Sequence, residues 1–260
     1  MPRSAFPLVQ EGASSGRADD VASPGEILFA DVEVSRRSRV ILTIPQLRLV
    51  ERRVGLIGNN GSGKSTMLRL INGLLLPAKG QVTTAGLDTV RGRRQLPAKV
   101  GFLFQNPDHQ LIFPTVIEEI AFGPRELGMP AQDARAQAVA LLERHNCADW
   151  ADRNVNELSG GQRQLLCILA VLASRPSILL MDEPFSSLDL PSRLTLFGQI
   201  AALPQQVVMA SHDLDMLSGF DRVIWLDHGV IRADGAPAEV IPAYRSAVMS
   251  PGSEYLVTEC

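Results

Sequence analysis

The chain has 260 residues, with 25 basic and 28 acidic side chains and a formal net charge of −3. At 45% apolar and 20% charged residues it can bury a sizeable core in one domain, or at most two, and wholesale disorder is excluded. The near-neutral balance excludes a nucleic-acid binder that works by bulk positive charge, and the longest apolar run, the nine residues Leu165 to Ala173, is too short to cross a bilayer.

Residues 1–25 carry Pro2, Pro7 and Pro24 among Gly and Ser, with no apolar stretch of signal-peptide length, and are expected to form a disordered lead. Ile27 to Val34 and Val40 to Leu49 read as paired strands with a turn at Arg36–Arg39. Val54 to Ile57 is a short apolar run ending in glycine, which suits a buried strand. Lys64 to Asn72 reads as a helix closed by Gly73, and Val100 to Phe104 as another strand. From Thr115 to Asn156 apolar residues recur at helical spacing, with breaks expected at Gly123-Pro124 and Gly128-Met129-Pro130; this is a helical insert. Gly160 to Ser174 is a helix that Ser159 can cap. Ile178 to Met181, Val207 to Ala210 and Val223 to Leu226 are short buried strands, and Asp227-His228-Gly229 turns the chain into Val230 to Ala233. Beyond Tyr244 a loose tail, residues 245–260, is expected. Short apolar strands separated by helices imply an α/β fold with a mainly parallel sheet covered on both faces.

Cys147, Cys167 and Cys260 have no paired spacing, so neither a disulfide framework nor a zinc site is expected, and a reducing cytosol fits. The lysines are Lys64, Lys79 and Lys99, and one of them stands where phosphate chemistry needs it.

Gly58-Asn59-Asn60-Gly61-Ser62-Gly63-Lys64-Ser65 matches G-x-x-x-x-G-K-[ST], after a predicted strand and opening a predicted helix. Its glycines let the backbone curl with N–H groups inward, and the helix N-terminus adds positive potential. Lys64 can reach β- and γ-phosphates, and Ser65 can ligate Mg²⁺. Ile178-Leu179-Leu180-Met181-Asp182-Glu183-Pro184 is an apolar strand ending in two carboxylates. Asp182 can hold Mg²⁺, directly or through water, and Glu183 is placed to polarise a water for attack on a γ-phosphate.

Leu158-Ser159-Gly160-Gly161-Gln162 ends 20 residues before Asp182. A phosphate loop, then this LSGGQ segment, then an Asp-Glu strand resembles the ATP-binding cassette family over about Glu26 to Ala243. The resemblance implies a P-loop ATPase domain over residues 26–244, with a mainly parallel core sheet, an antiparallel β subdomain and a helical subdomain at about 115–165. It implies ATP held by residues Gly58 to Thr66 and capped, across a dimer, by Ser159, Gly160, Gly161 and Gln162 of a second ATPase subunit. It further implies Mg²⁺ at Ser65, Gln105 and Asp182, a water-contacting role for Gln105, and a γ-phosphate-sensing role for His212. Ser186-Ser187-Leu188-Asp189 resembles the dimer-contact loop, which brings Asp189 to the nucleotide. One departure stands out: the family stacks adenine on an aromatic residue just after the first strand. Here Val34-Ser35-Arg36-Arg37-Ser38-Arg39 offers none, leaving the planar guanidinium of Arg36.

The run from Gly101 through Gln105, Leu111, Ile112, Phe113 and Val116 to Pro124 is similar to the ATPases of energy-coupling-factor importers. These serve a transmembrane coupling protein and a substrate-capture membrane protein, at the cytoplasmic face of the bacterial inner membrane. Val50 to Gly58 looks most like the biotin-importer ATPases, with cobalt or nickel importers behind. Two competitors stay open. A soluble cassette protein of DNA repair or translation is disfavoured by the 117 residues between Lys64 and Asp182, too few for long coiled coils, and by the single cassette. A small-molecule kinase is disfavoured by LSGGQ and the Asp-Glu pair.

Overall fold

The computed structural model describes residues 25–37, 39–186 and 188–249. The disordered lead expected at the start therefore lies, Gly25 apart, outside the described residues, as do Ser38, Ser187 and the last part of the expected tail. In chain order the strands are β1 (Ile27–Arg36), β2 (Arg39–Leu49), β3 (Arg53–Ile57), β4 (Lys79–Thr84), β5 (Leu87–Asp88), β6 (Val100–Leu103), β7 (Ile178–Asp182), β8 (Gln206–Ala210), β9 (Arg222–Asp227) and β10 (Val230–Gly235). The helices are α1 (Lys64–Ile71), α2 (Val116–Glu126), α3 (Ala131–Arg144), α4 (Gly160–Ala173), α5 (Leu190–Ala202), α6 (Leu214–Leu217) and α7 (Pro237–Met249).

The described residues divide into two compact units. The first falls within residues 23–102, 176–184 and 205–260 and holds two sheets. One sheet is four-stranded and antiparallel, in the order β2-β1-β4-β5. Pro45 sits inside β2, which is tolerable because β2 is an edge strand whose outer side needs no ladder bond. The other sheet has six strands in the order β10-β9-β3-β8-β7-β6. Its β9-β3, β3-β8 and β8-β7 pairs are parallel, and β10 joins antiparallel to β9. Every residue of β3, β7 and β8 is buried, as strands covered on both faces must be. One core serves both sheets. Phe29 and Ile44 enter it from the antiparallel side, Leu56, Leu180 and Val208 from the parallel side, and Met67 and Leu68 of α1 fill the space between. At about 25 cal/mol per Å² of apolar surface, this shared burial is the main force fixing α1, and hence the loop that precedes it.

The second unit falls within residues 103–175 and 185–204 and is helical. Its first segment includes residues 115–165, where the sequence suggests a helical insert. The break expected at Gly123-Pro124 does not occur: α2 runs on to Glu126. Proline removes one backbone donor, but Val116, Ile117, Ile120, Ala121 and Pro124 itself are buried, and packing outweighs the lost bond. The chain turns instead at Gly128, with φ 96°, before Pro130 opens α3. Cys147 and Cys167 are buried free thiols, pushed up by desolvation to about 11 and about 12, and are inert at neutral pH.

Five of these strands and helices have no counterpart among the sequence expectations: β4, β5, α5, α6 and α7. Helix α7 continues to Met249, so the tail expected from residue 245 begins as helix. Among the described residues no helix is long and apolar enough to cross a membrane.

Candidate active site

The loop between β3 and α1 is shaped by its glycines. Gly58 has φ 139°, and a Cβ there would lie 2.1 Å from the Leu226 carbonyl oxygen, so only glycine fits. Gly63, at φ 110°, caps α1 without a side-chain bond. The first helical bond runs from Met67 N–H to the Gly63 carbonyl. The N–H groups of Lys64, Ser65 and Thr66 therefore have no intrahelical acceptor, which is the condition for an anion site at a helix start. Lys64 is 6% exposed, and its Nζ donates to the carbonyls of Gly58 at 2.7 Å and Asn59 at 3.1 Å. Burial lowers its pKa, and the charges of Glu183 and Asp182 oppose that shift. An ammonium has three donors, and the two carbonyls occupy two.

Strand β7 brings the carboxylates to this loop. Ser65 Oγ donates to Asp182 Oδ1 at 3.0 Å, across 117 positions of sequence. Glu183 follows with φ 51°, a left-handed backbone that few side chains adopt, and its N–H donates to the Ala210 carbonyl of β8 at 3.0 Å. Burial raises its pKa, while the Lys64 charge and the backbone N–H of His212 pull it down. That N–H donates to Glu183 Oε2 at 3.3 Å. Glu183 Oε1 is buried with no hydrogen-bond partner; His212 Nε2 lies 3.1 Å away without hydrogen-bond alignment. His212 Nε2 also faces Asn60 Oδ1 at 3.2 Å. Burial, then Lys64, lowers the His212 pKa, which favours the neutral imidazole. Lys64, Ser65, Asp182, Glu183, Asn60 and His212 thus form one cluster within the first unit.

Gln105, Ser159, Gly160, Gly161, Gln162 and Asp189 lie in the second unit, and Arg36 in the first. Ser159 caps α4 through a capping box: its Oγ accepts from Gln162 N–H at 3.3 Å, and Gln162 Oε1 accepts from Ser159 N–H at 2.9 Å. Asp189 caps α5, its Oδ1 accepting from Ser192 N–H at 3.0 Å. The side chains of Ser159, Gln162 and Asp189 are therefore engaged in helix ends. Gly160 faces open space, with no atom within 4 Å of a Cβ built there, whereas Gly161 packs beside Ser192. Gln105 is exposed, two residues beyond β6. Arg36 is exposed at the end of β1.

Sequence reasoning missed the support on the other side of the phosphate loop. Gly229 N–H, in the turn between β9 and β10, donates to the Ser62 carbonyl at 3.0 Å, and its own carbonyl accepts from Thr43 N–H of β2 at 2.7 Å. Tyr244 of α7 donates its hydroxyl to Asn59 Oδ1 at 3.0 Å and meets the buried Trp225 edge to face. The aromatic pair was visible as residue types, but nothing in the local pattern ties residue 244 to residue 59.

The cluster suits a magnesium nucleotide. Ser65 and Asp182 supply hard oxygens side by side. Among the described residues there is no group of three or more His, Cys, Asp or Glu that could hold a metal alone, and Mg²⁺ is commonly held by one or two protein oxygens together with phosphates and waters. The buried, unpartnered Oε1 of Glu183 leaves an acceptor for a water.

Comparison with known proteins follows the same line. The family described as ABC transporter matches residues 47–186. The biotin transport ATP-binding protein BioM of Rhodobacter capsulatus is 51% identical over 204 residues, which is 78% of this chain and 87% of that protein. Among solved structures, CbiO1 from Clostridium perfringens, part of the CbiONQ ABC transporter complex, superposes with a TM-score of 0.74 at 24% identity, covering 86% of this chain and 94% of that one. A dimeric ATP-binding cassette in a post-hydrolysis state, bound to ADP and Pi, gives a TM-score of 0.71 at 26% identity, covering 81% of this chain and 98% of that one.

Proposed function

This chain belongs to the ABC transporter family, and from that membership we propose that it is the ATP-hydrolysing subunit of a bacterial importer of the energy-coupling-factor type, with biotin as cargo. The chain is an ATPase of that family; its site roles, partners and cargo are the proposal. The observation that carries the mechanism is the convergence of Lys64, Ser65, Asp182, Glu183 and His212 in one unit.

In this reading the backbone N–H groups from Gly58 to Thr66 hold the phosphate chain, and the third donor of Lys64 takes a β- or γ-oxygen. Ser65 and Asp182 would hold Mg²⁺, which would supply charge neutralisation to the phosphate chain. Glu183 accepts the proton of the attacking water, whose oxygen bonds to the γ-phosphorus as the bond to ADP breaks. The neutral His212 donates from Nε2 to the γ-phosphate in place of Asn60. Ser159 to Gln162 present a helix start and the open Gly160 to ATP held by a second ATPase subunit. Closure on ATP and release after hydrolysis then move a transmembrane coupling protein and its substrate-capture partner. The chain would sit peripherally at the cytoplasmic face of the membrane. The cargo rests on the likeness to BioM.

The test is uptake by cells expressing this chain with the membrane proteins that co-purify with it. ATP-dependent accumulation of labelled biotin is expected, abolished by Lys64→Ala. Cobalt or nickel accumulation instead would overturn the cargo. Purification without any membrane partner would favour a soluble cassette ATPase.

A further inference from the structure

Helix α7 makes polar contacts to the rest of the first unit at two neighbouring residues, and one of them reaches the phosphate loop. Tyr244 donates to Asn59 Oδ1 at 3.0 Å. Arg245 pairs with Asp215 of α6 at 2.6 Å, but both side chains are largely exposed and such pairs contribute little. Tyr244 differs. Its ring is half-buried and set edge to face on Trp225, which is 5% exposed, with centroids 5.4 Å apart. Trp225 belongs to β9, which is paired with β3, the strand that leads into the phosphate loop. The hydroxyl is thus held by the same sheet that carries the loop.

Its partner is the residue on which the loop turns. The Asn59 backbone carbonyl accepts from Lys64 Nζ and from Ser62 N–H at 3.1 Å each. Fixing the Asn59 side chain fixes that carbonyl, and with it the resting place of the ammonium and the curl at Ser62. Asn59 is followed by Asn60, whose Oδ1 faces His212. We propose that Tyr244 is a positioning residue for nucleotide binding: its hydroxyl holds Asn59, and so pre-forms the phosphate loop. This rests on the reading of residues 58–66 as the loop that binds ATP. Pre-formation lowers the ordering cost of binding, so its loss shows in affinity rather than in the chemical step.

The test uses the full-length chain and ADP as probe. Tyr244→Phe keeps the ring on Trp225 and removes only the hydroxyl. It is expected to weaken ADP binding about three- to tenfold, the scale of one neutral hydrogen bond. In steady-state hydrolysis KM for ATP rises by a similar factor while kcat changes less than about twofold. Asn59→Ala gives the same loss, the double variant loses no more than either single one, and Arg245→Ala leaves affinity unchanged. Unchanged affinity in both Tyr244→Phe and Asn59→Ala, with Lys64→Ala still strongly impaired, overturns the role of Tyr244 and leaves the loop reading intact. Unchanged affinity in Lys64→Ala as well removes the loop reading and this inference together. A lowered kcat and melting temperature at constant KM would mark Tyr244 as structural only; should Tyr244→Phe fold poorly, Asn59→Ala decides alone.

Discussion

The two units of the chain build their candidate surfaces in opposite ways. In the first, charge is buried: Lys64 and Asp182 are at most 9% exposed, and the cluster is held by strands buried at every residue. In the second, the helix start at Ser159 is exposed, self-capped and fronted by a glycine that faces nothing. Buried charge is expensive without a counter-charge, so the first unit carries its own carboxylates against Lys64. A capped helix start costs nothing to leave open. Under the proposed function the first surface is one half of a reaction centre, and the second, finished for folding, would still offer an anion-binding face to another subunit.

The sharpest way to break this comparison is Glu183→Gln. If the first unit holds the chemistry, hydrolysis falls by about 10²-fold or more, the scale of a lost general base, while ATP still binds in a direct titration. Wild-type turnover by that variant would remove Glu183 from the reaction. Next, Lys64→Ala removes a charged donor and is expected to weaken ATP about 10- to 100-fold, in line with hydrogen bonds to charged groups; isothermal titration checks it. For the second unit, Gly160→Asp is diagnostic. An acid at a helix start stabilises the helix, and the site has room, so the melting temperature should hold or rise. If that surface meets phosphate in a second subunit, hydrolysis nonetheless falls about tenfold or more, with ADP affinity of the isolated chain unchanged. Full activity would leave Gly160 a mere helix end.

The smallest effect is a pH dependence of stability. The Glu183 pKa is raised in the folded state above its ordinary 4.5. The folded chain thus binds that proton more tightly than the unfolded one, and the ionised group opposes folding at neutral pH. Glu183→Gln should melt slightly higher than wild type at pH 7, and the difference should vanish as pH falls below the ordinary carboxylate range. A difference that grows toward acid would reverse the assigned sign.

Much of the first unit was legible because its signals are local. Strands β3, β7, β8 and β9 are short apolar runs, and the Gly58–Ser65 spacing specifies its own turn. The rest failed for identifiable reasons. In β4 the first three residues are exposed and polar, so no alternation announces a strand. Helix α5 had usable signals, Asp189 as cap and Pro191 in the first turn, but only Leu196 and Ile200 are buried, which dilutes its periodicity. Helix α7 carries Pro242 in its interior and was masked by it. At Pro124 the same residue type suggested a break that buried neighbours prevented. Within the candidate site, Ser65 with Asp182 was inferred from motif order, whereas Tyr244 with Asn59 spans 185 positions and belongs to no motif. Side chains that act through a partner leave no spacing to read.

The end of β8 has a consequence of its own. The Ala210 carbonyl receives the amide of Glu183, Ser211 N–H returns to the Leu56 carbonyl at 3.2 Å, and His212 comes next. The carboxylate and the imidazole are moored to one post, itself lashed to the strand that launches the phosphate loop. A nudge to that post, such as an enlarged side chain at Met209, would disarm both groups together, and no repair at either one alone would restore them.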